Sequence, residues 1–193
     1  LGIISAIRRN SAIDFISRII SVLGLAIPFF WIGILIVWIS AVHFAYFPPL
    51  QYEPPWINPW VSFQKTFGAS IVLALLLMAY IARMSRGALL EVLQEDYVRT
   101  ARSKGLREHI VIIRHALKIA LLPVLTLSAV QLGKLLGGTV VVEQIFNIHG
   151  LGTMTIDAVV NKDVSVVQNA VLLLSFVFVM VNILNDILLG WLD

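Results

Sequence analysis

Four long apolar runs, at residues 19–47, 67–84, 119–142 and 169–191, decide most of what this chain is able to become. A membrane-crossing helix needs about 20 mostly apolar residues, and each run is close to that length or exceeds it. Composition points the same way. Hydrophobic residues make up 59% and charged residues 13% of the 193 positions, whereas a soluble domain carries about 25% charged residues. Mean hydropathy is +0.93. The expectation is an all-α polytopic membrane protein with about four transmembrane helices.

The first run is long enough to tilt or to project beyond the lipid, and Pro28 is expected to kink it. Residues 1–6 read as the tail of a further span. The chain starts at Leu1 and stops at Asp193 directly after an apolar run, so it reads as a piece of a longer polypeptide. The net charge of +3 is small and gives no sign of nucleic-acid binding. There is no cysteine, which excludes disulfides and thiolate metal sites.

The basic residues orient the spans. Arg8, Arg9 and Arg18 precede the first run. Arg83, at the end of the second run, and Arg86, Arg99, Arg102, Lys104, Arg107, Arg114 and Lys118, between it and the third, form the largest basic group, while only Lys65 and Lys162 fall in the other two connections. Because lysine and arginine concentrate in cytoplasmic loops, both visible ends and the central connection are expected in the cytoplasm. Residues 48–66 and 143–168 then face outward.

Within the central connection the chain is patterned. Leu89, Leu93, Tyr97 and Ala101 recur every four residues and are expected on one helical face. Glu95 and Arg99 are spaced to support that helix, and Gly105 is placed to end it. A short amphipathic helix outside the bilayer reads either as a solvated connector or as a surface for a partner. In the outer segments, Pro48-Pro49 and Pro54-Pro55-Trp56-Ile57-Asn58-Pro59-Trp60 suggest a rigid loop anchored by Trp56 and Trp60 at the interface. His149-Gly150-Leu151-Gly152 suggests a tight turn.

Polar residues inside the runs have two readings each. Gly133 and Gly137 form a G-x-x-x-G pair that allows a second helix to approach closely. Gln131 and Lys134 beside them belong to that packing or face a polar translocation path. Asn182 and Asp186, four apart in the last run, bind a neighbouring helix or line the path. The histidines His43, His109, His115 and His149 show no metal-binding spacing. No serine-nucleophile elbow and no phosphate-binding G-x-x-x-x-G-K-[ST] motif occurs, so neither a catalytic set nor ATP binding is expected in this chain.

One resemblance orders these features. Tyr97-Val98-Arg99-Thr100-Ala101-Arg102-Ser103-Lys104-Gly105-Leu106, followed by Arg114-His115-Ala116-Leu117 and Ala120-Leu121-Leu122-Pro123, resembles the cytoplasmic coupling loop of ABC-importer permeases of the dipeptide/oligopeptide/nickel group. Leu1-Gly2 through Asp14 resembles the loop before that family's third span, and Ile27-Pro28-Phe29-Phe30-Trp31 its Pro-Phe-Trp signature. Val142-Glu143-Gln144-Ile145-Phe146, Gly150-Leu151-Gly152, Asp163 and Val167-Gln168 resemble the outer loop before the last span. Arg99-Thr100-Ala101 stands where many ABC permeases carry Glu-Ala-Ala, the variant usual in the peptide branch. His149 replaces the usual proline.

The resemblance implies a type I ABC importer permease fold over residues 1–193 as one domain lacking its N-terminal spans, with residues 90–118 as the coupling loop. It implies a transport subunit in the bacterial or archaeal inner membrane, without catalytic residues, metal or cofactor. Its partners would be a second permease in a heterodimer, two cytoplasmic ABC ATPases, an extracytoplasmic solute-binding protein and membrane lipid. A coupling helix over roughly residues 93–105 would place Leu93, Tyr97, Val98, Arg99, Thr100, Ala101, Lys104 and Gly105 at the ATPase. The solute would be a peptide or, on the same scaffold, nickel. An ion-driven secondary transporter and a membrane-embedded hydrolase are the other classes weighed. The first needs paired titratable groups at mid-membrane, for which only Lys134 and Asp186 qualify.

Overall fold

The structure is a computed structural model that describes residues 1–49 and 53–192, leaving aside the side chains of Leu136 and Gly138. The centre of the expected outer loop, residues 50–52, and Asp193 lie outside the described residues. Every regular element is helical among the described residues: α1 Gly2–Ile7, α2 Ala12–Ala26, α3 Phe29–Phe44, α4 Pro59–Val92, α5 Asp96–Ser103, α6 Glu108–Ile110, α7 Leu117–Gly138, α8 Val140–Ile145, α9 Leu151–Val160 and α10 Val164–Leu192. A π-helical turn, Val111–Ala116, joins α6 to α7. Helices satisfy their own backbone groups, which is what a segment in hydrocarbon requires.

Among the described residues, three stretches are long and apolar enough to cross a membrane: Pro59–Val92, Glu108–Leu135 and Val164–Leu192. The pair Ala12–Ala26 and Phe29–Phe44 makes a fourth if counted as one broken span. The most apolar 18-residue window of α10 is only 6% buried, so its side chains must be covered by lipid or by other chains.

Several expectations change. The first run is broken at Ile27-Pro28 rather than gently kinked, because proline lacks an N–H and disfavours helix in the residue before it. The expected loop over residues 1–14 contains α1. Helix α4 extends well beyond 67–84, so Lys65 and Arg86 sit on a helix rather than in connections. Lys65 is only 3% exposed. The outer segment after Glu143 is occupied by α9.

The chain divides into two compact units. The first comprises Leu1–Ala26, Leu77–Gln131 and Val181–Asp193. Its core joins Ala6 of α1, Leu89 and Val92 of α4, Val98 and Ala101 of α5, Val111, Ala116 and Ala120. Four alanines among these eight residues let short helices pack at close range. The second unit comprises Ile27–Leu76 and Leu132–Met180. Its core is Ala69 and Val72 of α4 with Val142 and Phe146 around α8, flanked by Phe29, Ile32 and Ile36 of α3. Gly68 lies directly against the Phe146 ring, so a side chain there would meet it.

Candidate functional site

The central connection is built on the core of the first unit. Helix α4 stops at Val92, residues 93–95 turn, and Glu95 becomes the extended residue that opens α5. The four-residue stripe therefore does not lie on one helix. Leu89 belongs to α4, Leu93 to the turn, and Tyr97 and Ala101 to α5. Glu95 sits outside the helix, so Arg99 pairs instead with Asp96, at 3.4 Å on the exposed surface. At that exposure the pair contributes little.

Ala101 was expected at a partner surface. It is 8% exposed and Val98 is fully buried, both turned into the chain's own core. These two residues seat α5. The face left for a partner carries Tyr97, Arg99, Thr100, Arg102, Ser103 and Lys104, all exposed. Partial desolvation of the ring, reinforced by the Glu95 charge, pushes the Tyr97 phenol above its ordinary pKa.

The end of α5 is closed by backbone and side chain together. Lys104 is the C-cap, and Gly105 follows with φ +75°, the left-handed conformation that glycine accepts without strain. The Lys104 N–H donates to Thr100 O at 3.1 Å. Arg102 then grips Glu108 across the turn, with Nε donating to Oε2 at 3.1 Å and Nη2 to Oε1 at 2.6 Å. This two-pronged pair sets the path of the chain from α5 into α6.

Beneath α5 lies a polar cluster that sequence reasoning missed. Asp14 on α2 is fully buried and receives Arg86 of α4 in a bidentate pair, Nε to Oδ1 at 2.7 Å and Nη2 to Oδ2 at 3.0 Å. Ser5 of α1 donates to Oδ1 at 2.6 Å and accepts from Arg86 Nε at 3.1 Å. The Asn10 N–H donates to Oδ2 at 3.1 Å, and Arg18 approaches at 3.6 Å. The carboxylate is thus surrounded by donors, which is what makes its burial tolerable. Ser5 neighbours Ala6, which packs in the same core as Val98 and Ala101. Three helices are therefore tied together under the α5 seat. Sequence offered one signal: an acidic residue, Asp14, just before a long apolar run.

The path candidates are divided between the two units. In the first unit, Gln131 is half-buried, Asn182 is half-buried with a polar partner, and Asp186 is exposed. Asn185, between them, is the buried one, 9% exposed. In the second unit, Lys134 is exposed. Gly133 lies against the Phe178 ring of α10, whereas nothing lies within 4 Å of a side chain built at Gly137. Among the described residues the two glycines share no such neighbour.

In the second unit, Glu143 organises the outer segment. Its carboxylate accepts the backbone N–H of Thr153 at 2.7 Å and of Gly152 at 3.3 Å, at the start of α9, and the Thr139 hydroxyl at 3.3 Å. A carboxylate there satisfies orphan donors and complements the helix dipole. Gly150 and Gly152 sit at close quarters: a side chain at Gly150 would run into the Glu143 carboxylate, and one at Gly152 into Val140. Among the described residues, no group of three or more His, Asp or Glu residues is arranged to hold a metal.

The whole chain, residues 1–193, matches the family described as Binding-protein-dependent transport system inner membrane component. It is 40% identical over 188 residues to a putative peptide transport system permease protein of Brucella suis, covering 97% of this chain and 60% of that protein. It is likewise 40% identical to a glutathione transport system permease protein of Pectobacterium atrosepticum, over 97% of this chain and 59% of that one. It is 34% identical to a dipeptide transport system permease protein of Alkalihalophilus pseudofirmus, over 100% of this chain and 64% of that one. The chain thus spans about three-fifths of the length of these relatives. With helices throughout and the family match running end to end, the chain belongs to the binding-protein-dependent transport system inner membrane components, which have the type I ABC importer permease fold.

Proposed function

We propose that this chain is the membrane-spanning permease of an ATP-driven importer for peptides, and that it performs no catalysis of its own. The observation that carries this reading is the end-to-end family match together with relatives named for peptides, dipeptides and glutathione. Those names favour a peptide over nickel. Residues 1–193 act as one permease domain, paired with a second permease. Two cytoplasmic ATPases drive it, and an external binding protein supplies the solute.

Residues 90–118 form the coupling loop, with α5 presenting Tyr97, Arg99, Thr100, Ser103 and Lys104 to an ATPase cleft. Val98 and Ala101 anchor the helix from behind. The buried Asp14–Arg86–Ser5 cluster stiffens the base, so that a push on α5 moves α1, α2 and α4 as a body rather than bending the loop. Interfaces of this kind pass on motion because packed cores have few alternative arrangements.

The chain has no native cysteine, so a single Ser103→Cys is a clean probe. In the full-length complex it is expected to cross-link to a cysteine in the ATPase cleft, with a yield that changes on adding nucleotide. Gly105→Val is expected to leave the spans inserted while uncoupling hydrolysis from peptide uptake, because valine resists the φ of +75° seen there. Normal uptake by Gly105→Val, with no cross-link at any cleft position, would refute the coupling role.

A further inference from the structure

We propose that the first unit holds one anionic phospholipid of the cytoplasmic leaflet, with its phosphate headgroup in a cavity among α1, α2 and α4 and an acyl chain along α2. The cavity has a volume of ≈ 420 Å³. Its cationic wall is Arg18, Arg83 and Arg86; of its three serines, Ser5 and Ser21 already donate to Asp14 Oδ1 and Ser17 O, which leaves the Ser17 hydroxyl. No carboxylate lines it. Asp14 lies behind the wall, 0% exposed, and offsets one of the three guanidiniums, so two positive charges remain. Arg83 forms no ion pair among the described residues.

A second hollow, of ≈ 360 Å³, adjoins the first along α2, where Arg18 and Val22 line both. Its other walls are Phe15, Ile19 and Leu23, all on α2 and all substantially exposed. A polar, cationic chamber beside an apolar groove has the profile of a phospholipid. A free phosphate would need only the chamber. The positive-inside distribution puts these arginines at the cytoplasmic side, where anionic headgroups concentrate and basic pockets between helices collect them.

The test uses the full-length complex, delipidated and reconstituted in phosphatidylcholine nanodiscs doped with phosphatidylglycerol, with bound lipid counted by native mass spectrometry. One phosphatidylglycerol per permease chain is expected to survive, and phosphatidylcholine is not. Arg83→Gln and Arg18→Gln are each expected to weaken retention about fivefold, the effect of removing one arginine near an anionic surface. Arg107→Gln, outside the cavity, should leave retention unchanged. Glycerol 3-phosphate, which carries the headgroup chemistry without acyl chains, should not displace the lipid. Displacement by that soluble phosphate would show a free-anion site instead. Equal retention by all variants, equal retention of phosphatidylcholine, or no lipid in the wild-type complex would each overturn the proposal.

Discussion

Asp14 and Arg86 show how much one charge pair constrains at the residue scale. Asp14 has no exposed surface, while the Arg86 side chain keeps 22% exposure. Removing the carboxylate leaves a guanidinium held in place without its partner. Asp14→Leu is therefore expected to cost about 3 kcal/mol, near the lower end for broken buried pairs since Arg86 retains some contact with water. Thermal unfolding of the detergent-purified protein measures it. The double variant Asp14→Leu/Arg86→Leu should be less damaged than the sum of the singles, because neither charge is then stranded. Strict additivity would show that the two groups do not act as a pair. Glu143 invites a parallel test. Glu143→Ala withdraws the side-chain acceptor of two backbone N–H groups of α9 and is expected to cost about 1–3 kcal/mol. Hydrogen exchange at the Gly152 and Thr153 amides should accelerate while α10 is unaffected; unchanged exchange at those amides would remove Glu143 from the capping role.

At the scale of elements, α5 is an amphipathic helix whose apolar face is already spent inside the chain. Ala101→Glu would force a carboxylate into a core of alanines, valines and leucine, so it is expected to dislodge α5 rather than merely block a partner. Limited proteolysis across residues 93–107 would report the release. The G-x-x-x-G pair divides in the same way. Gly133→Leu must displace the Phe178 ring and is expected to cost about 1–3 kcal/mol through overpacking. At Gly137 no described atom lies within 4 Å of an added Cβ, so Gly137→Ala should leave the isolated subunit's Tm unchanged. A loss confined to assembly with a second permease would identify Gly137 as an intersubunit contact. A loss in the isolated subunit would contradict the open space seen at that position.

For the whole molecule, the charge distribution defines the topology. Single cysteines at Ser103 and Asn58 should respond oppositely to a membrane-impermeant reagent applied to intact cells. Labelling is expected at Asn58, just before α4, and not at Ser103, at the end of α5. Reaction of Ser103→Cys from outside would reverse the orientation and with it the cytoplasmic role of α5.

Apolar length and basic clustering by themselves determined the helical class, the presence of α4, α7 and α10 though not the full extent of α4, and the expected orientation. Each follows from transfer free energy along the chain, without reference to any distant residue. The turn at Gly105 was also legible, because only local backbone sterics are involved. Tertiary structure alone decided which face of α5 is free. A period of four marks neighbours on a continuous helix, but residues 93–95 interrupt the helix, and the buried side is set by Ala6, Val111, Ala116 and Ala120 arriving from far along the chain. It also decided that Arg86, which counts in sequence as one more cytoplasmic charge, is the partner of Asp14 seventy-two residues away. Such a pair leaves no periodic trace, because its geometry depends on how α2 and α4 pack rather than on either segment.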